Sequence, residues 1–450
     1  MPSITRRCAL TALAAASYSR ILGANDRVQV GFIGYGLIGT QHVFDFKNQK
    51  DVDLAAMCDV YQPRLEQGVA ATGQKAKPYS DFRKLLDNKD VQAVVVSTPD
   101  HWHALLTIMS CASGKDVYVE KPLTLFVREG RWMVNAARKY NRVVQCGTQQ
   151  RSGPHYAHAR ELIQSGYLGQ VVSARCASFR NIMPGFGDPP DSAAPSDFDY
   201  GMWLGPAPAR PYNPHRGLYH FRWFWDYSGG QMTNLGAHEI DIIHWFMNVN
   251  GPTAATSSGG RYALKDNGET PDVQDALFEY PGFTTEYACR EVSQGRRGFG
   301  GLEFFGTKGS LTIGRSGFEV FPDMKIAPSN AIPVFKGHPA GGPVREDVQP
   351  TPFTKPVKES GTADEQFALH VRNFVDCIKS RQRPIADIED GHRTTTACHL
   401  ANLSLRLGRK LHWDVAKEQV NDDPEANAML VRPYRKPWDD VLRSLKVTES

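Results

Sequence analysis

Short apolar runs alternate with stretches of helical spacing through the first third of the chain. Val28–Ile33, Val52–Cys58, Val91–Ser97, Val117–Glu120 and Val143–Gly147 are the runs, and a shorter one lies near Pro78. Between them, Asp100–Ser113 and Val127–Tyr140 carry apolar residues at helical intervals. Near-continuous apolar strands alternating with helices predict a parallel, doubly wound α/β sheet. Beyond Gly153 the period changes. Val171–Phe179 alternates residue by residue, as a strand with one buried face does, and Ala276–Tyr280 and Phe283–Arg290 flank the turn Pro281-Gly282. Gly301–Phe305, Ser310–Ile313 and Phe318–Phe321 follow between glycine turns, which predicts a large, mostly antiparallel open sheet. Glu365–Ser380 and Gly391–Leu407 return to helical spacing, while Pro184–Tyr219 reads as a long ordered loop and Ala327–Pro356 as a surface excursion. The expected division is 25–150 for a dinucleotide-binding domain, 151–365 for an α/β substrate and oligomerisation domain, and 366–450 for C-terminal helices and a tail.

The first run feeds into Gly34-Tyr35-Gly36-Leu37-Ile38-Gly39, a G-x-G-x-x-G pattern between a strand and a helix. Gly34 permits the tight turn, Gly36 lets backbone approach a pyrophosphate, and Gly39 lets helix pack close to strand. Asp59, at the end of the second run, stands where the adenosine ribose hydroxyls need an acceptor. Its charge would repel a 2′-phosphate, so NAD is expected over NADP, although Arg64 lies close by in sequence.

The remaining composition narrows the class. A net charge of +4 over 450 residues, without a basic block, gives no reason to expect nucleic acid. Residues 1–24 contain Arg6-Arg7, a modest alanine-rich apolar run and small residues up to Ala24, the pattern of a twin-arginine export signal. That run is too short for a permanent anchor, so a periplasmic or secreted protein without a membrane anchor is expected. Removing the signal would take Cys8 and leave Cys58, Cys111, Cys146, Cys176, Cys289, Cys377 and Cys398. Without a C-x-x-C pair, these are expected as buried thiols, with one disulfide still open in an oxidising compartment.

Ligands of open α/β sheets sit beyond the carboxyl ends of the strands. Two strand ends here are loaded: Ser97-Thr98-Pro99-Asp100-His101-Trp102-His103 and Glu120-Lys121-Pro122. With the glycine fingerprint and the downstream stretch Gly229–Asp241, they resemble the Gfo/Idh/MocA family, named for glucose–fructose oxidoreductase, inositol dehydrogenase and a rhizopine-catabolism protein. The resemblance runs from Val28 to the C-terminal region. It implies NAD- or NADP-dependent oxidation or reduction of sugars and cyclitols, a homo-oligomer, and a cis bond before Pro122. It also implies catalytic roles for Lys121 and for His238, a histidine from the second domain. An ammonium at a strand end can hydrogen-bond a substrate oxygen and, with a lowered pKa, exchange its proton. The family often carries aspartate four residues before the histidine. Here that residue is Asn234, which can bond a hydroxyl but cannot take its proton.

The expected cofactor contacts are Gly34, Tyr35, Gly36, Leu37, Ile38, Asp59, Ser97, Thr98, Pro99, Asp100, His101, His103, Glu120, Lys121 and Gln149. Substrate contacts are expected from Lys121, Arg151, Tyr219, Arg222, Trp223, Asn234 and His238. Gln149, Gln150 and Arg151 could equally be hinge residues. The crowd Trp203, Tyr219, His220, Arg222, Trp223, Trp225, Asp226 and Tyr227 could stack on sugar rings or pack as core. No metal site is expected: His238, Glu239 and His244 mimic a zinc helix, but Ile242 stands where the second histidine must be. Three functions follow. The first is an exported NAD-dependent carbohydrate oxidoreductase holding its nucleotide tightly. The second is a redox-neutral, NAD-dependent glycoside hydrolase or lyase, and the third a non-catalytic sugar or NAD sensor.

Overall fold

The computed structural model describes residues 27–295, 301–325 and 351–448. The twin-arginine signal and most of the Ala327–Pro356 excursion therefore lie outside the described residues.

Six strands form the first sheet: β1 (Val28–Ile33), β2 (Val52–Cys58), β3 (Lys77–Tyr79), β4 (Ala93–Val96), β5 (Asp116–Val119) and β6 (Val144–Cys146). Their order is β3-β2-β1-β4-β5-β6 and every pairing is parallel, so the chain reverses direction across the sheet beside β1. A crevice at that switch point is where such sheets take dinucleotides. β4 and β5 are buried throughout, as strands covered on both faces must be.

The second sheet has eleven strands. Its path uses β7 (Val171–Asn181), β8 (Ala254–Gly260), β9 (Val273–Tyr280), β10 (Phe283–Arg290), β12 (Gly301–Gly306), β13 (Gly309–Gly314), β14 (Gly317–Pro322), β17 (Val357–Ser360), β18 (Leu411–Asp414) and β19 (Gln419–Val420), while β11 (Val292–Ser293) pairs with β7, and β15 (Met324–Lys325) and β16 (Thr351–Pro352) form a separate two-stranded ribbon. The order along the path is β17-β14-β13-β12-β7-β10-β9-β8-β18-β19. All pairings are antiparallel except β10 with β7, which makes the sheet mixed. β9 and β10 alternate buried and exposed residues. Their buried face, with Phe278 and Tyr287, packs on the helices Pro154–Gln164, Gly236–Met247 and Ile388–Leu407. The outer face leaves Val172, Leu277 and Phe321 exposed.

The C-terminal segments do not stand apart. Val371, Phe374 and Val375 of the helix Ala363–Ser380 enter the core of the first sheet beside Phe46 and Tyr118. Tyr434, Trp438, Leu442 and Val447 seal its other face. Trp438 meets Trp102 edge-on at 4.9 Å, and Tyr434 donates to Glu129 at 2.7 Å. The seven described cysteines are buried free thiols. No helix among the described residues is long and apolar enough to cross a membrane.

Candidate active site

β1 ends in the glycine loop, and the helix Leu37–Lys47 starts directly after it. Gly34 sits at φ +94°, where a Cβ would meet the Ser97 carbonyl oxygen at 2.8 Å. Gly39 is packed closer still, its Cβ position 2.5 Å from the Gly34 carbonyl oxygen. Around Gly36, by contrast, nothing lies nearer than the Arg64 guanidinium at 3.6 Å. The helix has no side-chain cap, so its first-turn amides are left for an anion. Asp59 is held by the backbone amides of Tyr35 (2.7 Å) and Tyr61 (2.9 Å), which fix its carboxyl at the rim while burial raises its pKa. A cavity of about 360 Å3 opens in front of this loop, walled by Gly34–Ile38, Asp59, Arg64 and Ser97–Pro99. A glycine loop, an uncapped helix start and a rim carboxylate are the donor and acceptor set a dinucleotide needs, and they fit it.

The aromatic loop forms the opposite wall. Phe198, Trp203, Tyr219, Phe221 and Arg222 line the same cavity. Most of its rings are core: Trp203, Phe221, Phe224 and Tyr227 form one buried cluster. Trp223, expected at substrate, is buried instead, its indole donating to Glu291 at 2.7 Å. Tyr219 stays 44% exposed, and Arg222 donates to its carbonyl at 3.0 Å.

At the end of β5, Glu120 is 2% exposed. Its Oε1 accepts from His42 Nε2 (2.7 Å) and Gln149 Nε2 (2.8 Å), and its Oε2 from the Lys121 amide (3.1 Å). Burial pushes this carboxyl up, but the hydrogen bond and charge of His42 and the charge of Lys121 outweigh it, and the net shift is downward. Glu120 and Gln149 are thus braces behind Lys121. The Lys121–Pro122 peptide is cis. Lys121 Nζ reaches across to the second domain, donating to the Asn234 carbonyl oxygen (2.8 Å) and Oδ1 (3.1 Å). Burial, reinforced by Arg222 and Arg315 and opposed by Glu120 and Asp100, lowers its pKa to about 8.

His238 begins the helix Gly236–Met247, two residues past its start. Its Nε2 accepts from Arg315 Nη2 at 3.3 Å, so the ring proton belongs on Nδ1, which has no partner. Burial, then the Lys121 and Arg315 charges, holds this imidazole neutral, its pKa well below the usual value. Glu239 beside it has its carboxyl raised to about 7 by burial, against the Arg315 charge and a hydrogen bond from Gln150.

Besides Trp223, four expected contacts take other roles. Arg151 is 4% exposed and spent on Asp241, with Nε and Nη2 each at 2.8 Å, so it ties two helical segments and has no free face for substrate. His101 turns away from the groove, its Nε2 on the Trp203 carbonyl at 2.9 Å. His103 pins the two loaded strand ends together, one ring nitrogen on the Pro122 carbonyl (2.7 Å) and the other on the Thr98 carbonyl (2.8 Å). Asp100, also behind the groove, accepts from Ser228. Lys121, Asn234 and His238 are brought together, with Arg222 acting on Lys121 from the groove side. His42 and Arg315 carry no sequence signal, and Glu239 stands out only in the rejected zinc-helix pattern. A histidine on a helix face and an arginine at a hairpin tip ordinarily read as packing and as solvated charge.

A doubly wound dinucleotide fold carrying a lysine at a strand end opposite a histidine from a second, sheet-rich domain defines a dinucleotide-dependent oxidoreductase. Residues 28–148 match the NAD-binding Rossmann fold of an oxidoreductase family, and residues 157–256 and 358–440 match that family's C-terminal alpha/beta domain. Residues 207–312 also match a GFO/IDH/MocA C-terminal domain. The chain belongs to the Gfo/Idh/MocA family of oxidoreductases, and its first domain is the NAD-binding one. It is similar to a glycosyl hydrolase family 109 protein of Shewanella sp., 31% identical over 160 residues, 34% of this chain and 35% of that protein. It is also similar to inositol 2-dehydrogenase of Salmonella paratyphi B, 29% identical over 223 residues, 49% and 55% of the two chains. The chain thus spans a third to about half of the length of these curated relatives. Its fold is that of levoglucosan dehydrogenase, solved with NADH and levoglucosan, at a TM-score of 0.63 and 18% identity over 86% of this chain and 99% of that one.

Proposed function

We propose that the protein oxidises a hydroxyl of a small carbohydrate or cyclitol with NAD, which Asp59 favours over NADP. The observation that carries this reading is the amine of Lys121, held by Asn234 opposite His238, with a pKa of about 8. Gly34–Ile38 and Asp59 would hold the dinucleotide, which when bound would supply the acceptor of the substrate's hydride. Lys121, once neutral, keeps its two N–H groups on the Asn234 carbonyl and Oδ1 and turns its lone pair to the substrate hydroxyl, whose proton it accepts. His238, neutral with its proton on Nδ1, offers Nε2 as a second hydrogen-bond acceptor when Arg315 moves off it. Asn234 orients but takes no proton. Lys121→Ala, assayed with NAD and a panel of sugars and inositols, is expected to abolish turnover while nucleotide binding persists. Full turnover by that variant would refute the reading.

A redox-neutral glycosidase is the second reading, favoured by the similarity to the Shewanella glycosyl hydrolase family 109 protein. Oxidation at C3 would pass hydride to NAD and acidify the C2 proton; a base would take that proton as the glycosidic oxygen leaves C1, water would add across C1 and C2, and NADH would return hydride to the ketone. Deuterium from solvent at C2 of the product supports it, and absence of that label during turnover excludes it. We further propose export, on the Arg6-Arg7 pattern, with the nucleotide carried as a resident cofactor. Mass spectrometry of native protein finding no bound nucleotide would refute residence, and cytoplasmic fractionation would refute export. A homo-oligomer belongs to the same proposal, supported by Val172, Leu277 and Phe321 exposed on the open sheet.

A further inference from the structure

Arg315 has no part in the proton transfer just described, yet it reaches the centre of the site. It stands at the two-residue tip between β13 and β14, where Gly314 pairs with Gly317. The tip is exposed, but its backbone is pinned: His155 Nε2 donates to the Gly314 carbonyl and Gln366 Nε2 to the Arg315 carbonyl, each at 3.0 Å. From there the guanidinium crosses to His238 Nε2 at 3.3 Å, with the ring of Phe367 at 6.0 Å from Cζ. A guanidinium has five donors arranged to meet an oxyanion, and this one spends a single donor on a neutral imidazole. Among the described residues no carboxylate lies within ion-pair distance of Arg315 or of Lys121.

The carboxyls nearby are otherwise engaged. Glu120 is taken by His42, Gln149 and the Lys121 amide, and Asp100 by Ser228. Glu239 is the carboxyl on which the Arg315 charge acts, and burial keeps its proton on up to about pH 7. Asn234 presents an amide to Lys121. The space around His238 is therefore flanked by two cations and faced by no committed anion.

We infer that Arg315 is a substrate clamp, and that the sugar presented to Lys121 and His238 carries an oxyanion group, a carboxylate or a phosphate, which the guanidinium binds on leaving His238. The inference rests on the carbohydrate oxidoreductase reading and adds its substrate class. Binding frees Nε2 at the moment substrate arrives, so clamp and acceptor are exposed in one movement. Arg315 is a specificity residue and takes no proton.

The test is calorimetric titration of the full chain, saturated with NAD at low salt, using glucuronate, glucose 6-phosphate and glucose as probes. A charged hydrogen-bonded contact corresponds to about tenfold in affinity. At least one anionic probe should bind about tenfold or more tighter than glucose, glucuronate marking a carboxylate site and glucose 6-phosphate a phosphate site. Arg315→Gln, which keeps a donor for His238 without the charge, should erase that preference and leave glucose affinity within about twofold; Arg315→Lys should restore part of it. Glucose binding as tightly as both anions, no binding by either anion, or a preference that survives in Arg315→Gln overturns the clamp. Reduction of NAD with neutral sugars in those cases would leave the oxidoreductase reading standing. Arg315-dependent anion binding with no nicotinamide reduction by any probe would do the reverse.

Discussion

Two glutamates, one on each side of the site, titrate in opposite directions. Glu120, at the end of β5, collects three donors and sits below its ordinary pKa. Glu239, near the start of the helix Gly236–Met247, has a hydrogen bond from Gln150 and a more distant Arg315 charge, and rises to about 7. Burial acts on both with the same sign, so the number of donors decides the outcome. The first domain thus brings a carboxylate whose oxygens are fixed by three donors, and the second brings groups whose charge and position can still change.

The sharpest way to break this comparison is at the lysine that joins the two sides. Lys121→Met should lower kcat by about 10^3, the middle of the range for a lost acid–base group, with nucleotide still bound. A near-normal kcat would place the chemistry elsewhere. On the scaffold side, His42→Ala strands the Glu120 carboxylate, and removing one partner of a buried ion pair costs about 3–5 kcal/mol. Arg151→Met should cost a similar amount through Asp241, with KM little changed for the protein that remains folded. Urea denaturation reads both, and a loss under about 1 kcal/mol would show that the scaffold is not held as described.

The pH profile comes next. Lys121 must be neutral to accept a proton, so kcat/KM for oxidation should rise with pH and level off above about 8. A profile flat from pH 6 to about 9 would remove Lys121 as the base. The same shift acts on stability: the folded-state pKa lies below the ordinary 10.5, so the cost of the buried ammonium is complete below about 8 and is recovered as pH rises toward 10.5. The smallest effect belongs to Glu239. Its folded pKa of about 7 lies above the ordinary 4.5, so the folded protein keeps a proton that the unfolded chain loses between those values. Stability therefore falls as pH rises through that window. Glu239→Gln should raise Tm by a few degrees at pH 8 and leave it unchanged at pH 4, as scanning calorimetry would show. An equal gain at both would deny the shift.

The same division governs what could be read from sequence. Gly34–Gly39, Asp59 and Lys121 announce themselves because strand, turn and ligand group are consecutive. β9 and β10 likewise follow from their alternation around Pro281-Gly282. His238 is legible only through the family resemblance. What escaped depends on pairs distant in the chain: His42 with Glu120, 78 residues apart, Arg151 with Asp241, 90 apart, and Arg315 with His238, 77 apart. No local period marks such a pair. Arg151 reads as a substrate contact because a charge just past a strand end looks free until its partner folds beside it. The tryptophans were undecidable for a related reason, since Trp223 is fixed by Glu291, which arrives 68 residues later.

The tail that seals the first domain carries a consequence for synthesis. Tyr434, Trp438, Leu442 and Val447 cover the face that Trp102 and Phe82 would otherwise expose, and they leave the ribosome long after β6. Domains ordinarily fold in the order they are made. Here the domain made first keeps an uncovered aromatic face while the whole second sheet is assembled. It is closed only once residues 434–447 have emerged, which makes completion of the cofactor domain a report that the second sheet has been translated.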